Sequence, residues 1–250
     1  MRACTESAER GLYTQPAYTL SREASVHPLI LVCEHASRFI PAELNDLGLS
    51  DEAAREHIAW DIGALALAER LAEALGATLL AANYSRLLVD LNRPRHAPDS
   101  IPLQSEIYQV PGNRNLDEAT REYRRHCLFK PFHARLQTLI DARVAHGRPV
   151  RVVGIHSFTP IYFGQPRPME VGVLYGQARE YAQRVIEGLS RHPLKVVGNQ
   201  PYKVDPRGDM TVPVHGDARG LDSVLIEVRN DLLRTPEDVG RWTGYLAPLL

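Results

Sequence analysis

Short apolar runs that alternate with stretches of helical periodicity constrain this chain more than any other feature. Residues 29–33, 78–82, 87–91, 151–155, 171–175, 194–197 and 223–228 each read as a strand, because compact apolar runs of this length suit strands covered on both faces. Residues 50–75 read as a helix: Ser50 can cap it, Asp51 and Glu52 favour its first turn, and Gly76 is placed to end it. Apolar positions 58, 62, 65, 68, 71, 72 and 75 share one face of that helix. A longer helical pattern covers 117–145, and Pro131 predicts a kink there or a division into two helices. Residues 176–189 and a segment starting near Pro236 complete the helices. The alternation predicts an α/β sheet, at least partly parallel, with helices on both faces.

The chain has 250 residues, which suits one large domain. Residues 1–26 read as a flexible arm and 27–250 as a single domain. The net charge of −1 gives no support to nucleic-acid binding, which leaves a basic footprint. The basic stretch 121–125 also carries Glu122 and reads as a solvated helix face. Cys4, Cys33 and Cys127 form no CxxC pair, which speaks against a disulfide framework or a cysteine zinc site. No apolar run reaches the roughly 18 residues of a membrane span, and the N-terminus lacks the apolar core of a signal peptide. Together these features point to a cytoplasmic protein.

Two long irregular stretches, 93–115 and 198–221, read as loops walling a site, since structureless stretches of this length are uncommon in a domain unless functional. In open α/β sheets ligands bind at the carboxyl ends of strands. Those ends offer Glu34 and His35, then Asp90, Asn92 and Arg93, then His156, then Glu227. Two imidazoles with carboxylates are what metal-assisted hydrolysis needs: they hold zinc with one position open, and a separate carboxylate moves the proton. Each residue also has a plainer reading. A strand-end histidine can be a hydrogen-bonded structural residue, Glu227 can pair with Arg229, and 92–94 can be a turn.

The segments CEHASRFIP (33–41), HIAWDIGA (57–64), SRLLVDLNRP (85–94), KPFH (130–133), GIHSFTP (154–160), RPMEVGVLYG (167–176), NQPY (199–202) and LIEVRNDLL (225–233) resemble, in order, the signatures of N-formylglutamate amidohydrolases. The pattern is also similar to the wider zinc carboxypeptidase and aspartoacylase group. The resemblance implies a zinc-carboxypeptidase-like (phosphorylase/hydrolase-like) fold, a three-layer α/β/α sandwich with a mixed, mostly parallel sheet. It implies one zinc ion, a small-molecule N-acyl amino acid as substrate, hydrolysis of N-formyl-L-glutamate to glutamate and formate, and a place in amino-acid catabolism, specifically histidine degradation. It fixes no oligomeric state.

Carried over by residue, the resemblance makes His35 and His156 zinc ligands, Glu227 the general base and then acid, and Arg86 the group that polarises the scissile carbonyl. Asn92 and Arg93 become the carboxylate clamp, for which the planar guanidinium fork is suited. Tyr202, His133 and His215 are weaker substrate contacts. One departure stands out: the wider group carries His-x-x-Glu, whereas here Arg38 lies three residues after His35. Asp61 is the first candidate for the missing carboxylate ligand, on the expectation that it shares a helix face with His57. Glu34 is the second, and His57 is a ligand, a partner of a ligand, or a core residue. The alternatives to N-formylglutamate hydrolysis are a carboxypeptidase or deacylase on the same fold, or a non-catalytic carboxylate-binding module lacking metal.

Overall fold

The computed structural model describes residues 7–250. In strand β2 (Leu29–Cys33), Leu29, Leu31 and Cys33 face one core while Ile30 and Val32 face another, as side-chain alternation across a pleated strand requires. The same alternation runs through β3 (Thr78–Ala82), where Leu79 and Ala81 join the first core and Leu80 and Ala82 the second. Apart from Thr78 these strands are apolar, because both their faces are covered.

The central sheet contains β1 (Tyr18–Ser21), β2, β3, β6 (Arg151–Phe158), β9 (Val171–Leu174), β10 (Val196–Gly198) and β11 (Asp222–Arg229), in the order β1-β3-β2-β6-β11-β9-β10. The pairs β2/β3, β2/β6, β6/β11 and β9/β10 are parallel, and β1/β3 and β9/β11 antiparallel. Two small hairpins, β4/β5 (Gln104–Ser105 with Tyr108–Gln109) and β7/β8 (Ile161–Tyr162 with Gln165–Pro166), stand apart from it. Helices α1 (Ala64–Leu75), α4 (Arg179–Leu189) and α5 (Pro236–Leu246) pack Leu67, Leu71, Val185, Trp242 and Leu246 into the first core. On the opposite face α3 (Lys130–Ala145) supplies Phe132, Leu136 and Ile140 to the second. The result is the expected three-layer α/β/α sandwich around a mixed, mostly parallel sheet.

Pro131 does what its ring predicts. Helix α2 (Glu118–Arg124), capped by Asp117 accepting from the Thr120 amide at 2.8 Å, passes through a widened π turn over Arg125–Phe129, and α3 then begins with Pro131 in its first turn.

The expected helix over 50–75 forms only from Ala64. Gly63 holds a left-handed φ of 81°, and a Cβ there would stand 2.5 Å from the Leu233 Cβ, so the chain turns where only glycine fits. Upstream, the Asp61 amide donates to the His35 carbonyl at 2.9 Å and the Ala59 carbonyl accepts from the Ser85 hydroxyl at 2.8 Å. Those backbone groups serve tertiary contacts in place of helical ones.

Residues 87–91 are buried but form no strand. Side chains satisfy their carbonyls: Asn113 donates to Leu87 at 2.8 Å, Arg124 to Leu88 at 3.2 Å, and His133 Nε2 to Leu91 at 2.8 Å. Buried backbone needs partners, and here side chains take the place of a neighbouring strand.

Two further expectations are overturned. Residues 1–6, with Cys4, lie outside the described residues, but 7–26 is docked against the domain. Strand β1 pairs with β3, and Glu9 receives the Arg124 guanidinium at 2.6, 2.9 and 3.1 Å. The stretch 121–125 is accordingly no solvated face: Arg124 is 0% and Arg125 6% exposed. Among the described residues no helix is long and apolar enough to cross a membrane.

Candidate active site

The carboxyl ends of β2, β6 and β11 meet at the floor of a cavity of about 540 Å3, within the range of about 300–1,000 Å3 usual for small-molecule sites. His35 lies two residues past β2, His156 lies in β6, and Glu227 lies in β11. Asp61 reaches them from the turn before α1. It is fixed there by its amide to the His35 carbonyl and by its Oδ2, which accepts from the Ser157 amide at 3.2 Å.

His156 Nδ1 stands 2.9 Å and His35 Nδ1 3.4 Å from Asp61 Oδ2, and one ligand atom from each of the three side chains lies within 4.8 Å of the others. The two rings stand edge to face, with centroids 4.9 Å apart. Each ring is held from behind through its other nitrogen. His35 Nε2 is 2.7 Å from Asp90 Oδ1, and His156 Nε2 is 3.0 Å from Glu34 Oε2. Each carboxylate can accept from Nε2, and in the neutral ring that tautomer turns the Nδ1 lone pair toward the shared space.

This arrangement fits a divalent cation. Two imidazole nitrogens and a carboxylate oxygen are a zinc donor set, and donors held tetrahedrally at about 2.1 Å stand about 3.4 Å apart. His35 Nδ1 and Glu227 Oε2 are buried without a hydrogen-bond partner among the described residues, a costly state for polar atoms that nothing else occupies. Asp61, Asp90, Glu34 and Glu227 crowd four carboxyl groups around these rings, against one nearby guanidinium, Arg86.

The electrostatics follow from that crowding. Burial raises the Asp61 carboxyl, but the His35 and His156 rings outweigh it and hold it well below its usual range. Burial likewise works against Glu34, yet His156, His35 and the Thr211 hydroxyl keep it at about 2. Burial and the Arg86 charge depress the His35 imidazole, while Asp90 and Asp61 overcome them and raise it. His156 is raised well above the ordinary value because Glu34 and Asp61 outweigh its burial. Glu227 goes the other way: burial, helped by Asp61, lifts its carboxyl to about 7 against the pull of His156, His35 and Arg86.

Asp61 thus meets both histidines, but not by the route expected for it, since 57–61 is not helical; His57 lines the same cavity without joining the histidine pair. His57 Nε2 is 2.8 Å from Glu106 Oε2 on the cavity wall. Glu34 stands behind His156 and outside the group of possible metal ligands. Arg86 lines the cavity and is bound through Nη2 to Asp90 at 2.6 Å and through Nη1 to Asp61 at 3.4 Å. Asn92 and Arg93 line it too, though both are engaged. Asn92 Oδ1 accepts from the Met210 and Thr211 amides at 3.2 and 3.0 Å. Arg93 pairs with Asp209, donates to the Gly208 carbonyl at 3.1 Å and lies 3.1 Å from Asp99. Tyr202 is on the wall.

His133 and His215 do not line the cavity. His133 Nε2 donates to the Leu91 carbonyl and its Nδ1 meets His215 Nε2 at 2.9 Å, so the pair braces the 91–93 turn against the 211–216 turn. Two residues of the site had no assigned part in the sequence reading. Asp90 contacts both His35 and Arg86, and its place at the end of an apolar run was the available signal. Thr211, which donates to Glu34, carried none.

The N-formylglutamate amidohydrolase family model matches residues 27–234. A gene product of Agrobacterium tumefaciens of known crystal structure is 41% identical, with a TM-score of 0.89, over 94% of this chain and 93% of that one. An N-formylglutamate amidohydrolase from Ralstonia eutropha JMP134 is 20% identical, with a TM-score of 0.64, over 94% of this chain and 96% of its own, a likeness of fold. No curated protein matches the sequence significantly.

Proposed function

Because the chain belongs to the N-formylglutamate amidohydrolase family, we propose that it is a zinc-dependent hydrolase of N-formyl-L-glutamate or a close N-acyl glutamate. The observation that carries this reading is the meeting of His35 Nδ1, His156 Nδ1 and Asp61 Oδ2 beside a buried, unpartnered Glu227 oxygen. His35, His156 and Asp61 hold the ion, with Asp90 and Glu34 orienting the two rings. A zinc ion there supplies an acidified water and polarises the amide carbonyl.

Glu227 takes the proton of the attacking water and returns it to the leaving nitrogen. Its burial supports that role, since burial raises the carboxyl and makes it a stronger proton acceptor. Arg86, fixed by Asp90 and Asp61, offsets the negative charge that grows on the carbonyl oxygen. Asn92 and Arg93 hold a carboxylate of the substrate and so orient the amide. Arg93 is already paired, so its contribution depends on the substrate displacing part of its contact with Asp209 or Asp99.

A panel of N-formyl, N-acetyl and N-succinyl amino acids tests the assignment. The expected result is release of formate and glutamate from N-formyl-L-glutamate in preference to every other member, with loss of activity on chelation. Preference for a longer acyl group moves the enzyme to the deacylase reading, and release of no amino acid at any zinc loading overturns the enzyme reading.

A further inference from the structure

Two arginines, Arg86 and Arg93, line the cavity, and a third, Arg167, stacks on rings that line it; the three differ in their partners. Arg86 and Arg93 are each paired with two carboxylates. Arg167 has no carboxylate partner among the described residues. It is half-buried, with its guanidinium carbon 4.2 Å from the Tyr162 ring centroid, 4.9 Å from that of Tyr202 and 5.8 Å from that of Phe158. All three rings line the cavity. Its Nη1 donates to the Tyr202 hydroxyl at 2.9 Å. That hydroxyl stands within electrostatic reach of Glu227 and Arg86.

The backbone of Arg167 is fixed at both ends to the strands that carry the chemistry. Its amide donates to the Pro160 carbonyl at 2.8 Å, just beyond β6. Its carbonyl accepts from Arg229 Nη1 at 3.2 Å, at the end of β11. A cation stacked on aromatic rings keeps its N–H edge free for an anion, and a half-buried guanidinium without one forgoes solvation that a carboxylate restores.

We propose that Arg167 is the specificity residue that receives the γ-carboxylate of the substrate's glutamate. The inference rests on the function proposed above: an N-acyl glutamate carries two carboxylates, and Asn92 with Arg93 accounts for one. Tyr202 is then a positioning residue, its hydroxyl setting the angle of the guanidinium while its ring stacks against it. Lys203 on the same wall is solvent-exposed and takes no part in the discrimination.

The test compares N-formyl-L-glutamate with its neutral isostere N-formyl-L-glutamine in the wild-type enzyme and in Arg167→Met, Arg167→Lys and Lys203→Met. Arg167→Met is expected to lower kcat/KM for the glutamate compound about 10- to 100-fold, chiefly through KM, with little change for the glutamine compound. Arg167→Lys should restore part of the preference, and Lys203→Met should keep all of it. Binding of free L-glutamate against L-glutamine, followed by calorimetry in the same proteins, gives a readout that needs no turnover. Loss of glutamate binding in Arg167→Met upholds the site even if the wild-type enzyme cleaves neither formyl compound, in which case the hydrolase reading alone fails. An unchanged glutamate-to-glutamine ratio in a folded Arg167→Met or Arg167→Lys protein, or loss of the ratio in Lys203→Met, overturns the proposal.

Discussion

His156 and Glu227 are register partners on the adjacent parallel strands β6 and β11, so their side chains leave the sheet on the same face, side by side. The sheet itself therefore sets the spacing between a possible metal ligand and the carboxyl group proposed to carry the proton. Gly172 occupies the matching position on β9. A Cβ there would stand 2.0 Å from the Gln200 carbonyl oxygen, so glycine lets the turn that carries Tyr202 close over the same strand ends.

If Glu227 moves the proton, Glu227→Gln keeps the shape of the site and removes the base. Turnover should fall by about 10² to 10⁴, while zinc content measured on the purified variant stays at the wild-type level. Near-normal turnover removes Glu227 from the mechanism.

Glu34 touches no substrate in this account. It holds the His156 ring through Nε2 and is itself bound by Thr211. Glu34→Gln should weaken zinc binding about 10- to 100-fold, the usual effect of losing a carboxylate behind a metal histidine, as measured by competition with a chromophoric chelator. Unaltered affinity shows that the His156 ring needs no such support.

The Glu9–Arg124 pair predicts that the N-terminal segment contributes to stability. Glu9→Ala leaves a guanidinium of 0% exposure without its carboxylate, which costs about 3–5 kcal/mol. Chemical denaturation of the variant should show a loss of that order, and a change below about 1 kcal/mol contradicts the picture of a docked segment.

Burial lowers the His133 imidazole to about 4, and burial together with the facing His133 ring lowers His215 to about 3. Between pH 6.5 and about 4 the unfolded chain therefore takes up protons that the folded protein refuses. Stability from this pair is full above pH 6.5 and declines as the pH falls, approaching about 1.4 kcal/mol per pH unit for each histidine below pH 6. His215→Gln should flatten the acid side of a Tm-against-pH curve, and an unchanged slope contradicts the assignment.

Much of this architecture was legible in the chain. Strands such as 29–33 and 78–82 announce themselves because they are buried on both faces and apolar at every position but Thr78. The run 87–91 is equally buried and apolar save for Asp90, yet its carbonyls are met by Asn113, Arg124 and His133. Local sequence registers burial and does not register which distant side chain will satisfy a backbone group. The same holds for 121–125, where alternating charge suggested a wet face and a single glutamate 115 positions away keeps Arg124 dry. At the site, His35, His156 and Glu227 were readable because strand ends are where α/β sheets bind ligands. The spacing of His57 and Asp61 suggests a shared helix face, whereas Asp61 reaches the histidines through a turn fixed by the His35 carbonyl and the Ser157 amide. His133 and His215 looked like substrate contacts because histidines near motifs do, whereas their ring nitrogens are spent on each other and on Leu91.

Zinc titrated into chelator-stripped protein, with heat and N-formyl-L-glutamate hydrolysis followed together, shows whether one ion held by His35, His156 and Asp61 carries the activity. Activity should rise in step with binding and level off at one ion per chain, and Asp61→Ala should show neither tight binding nor activation. Full hydrolysis by the stripped protein, or an Asp61→Ala variant that binds and responds like the wild type, contradicts it.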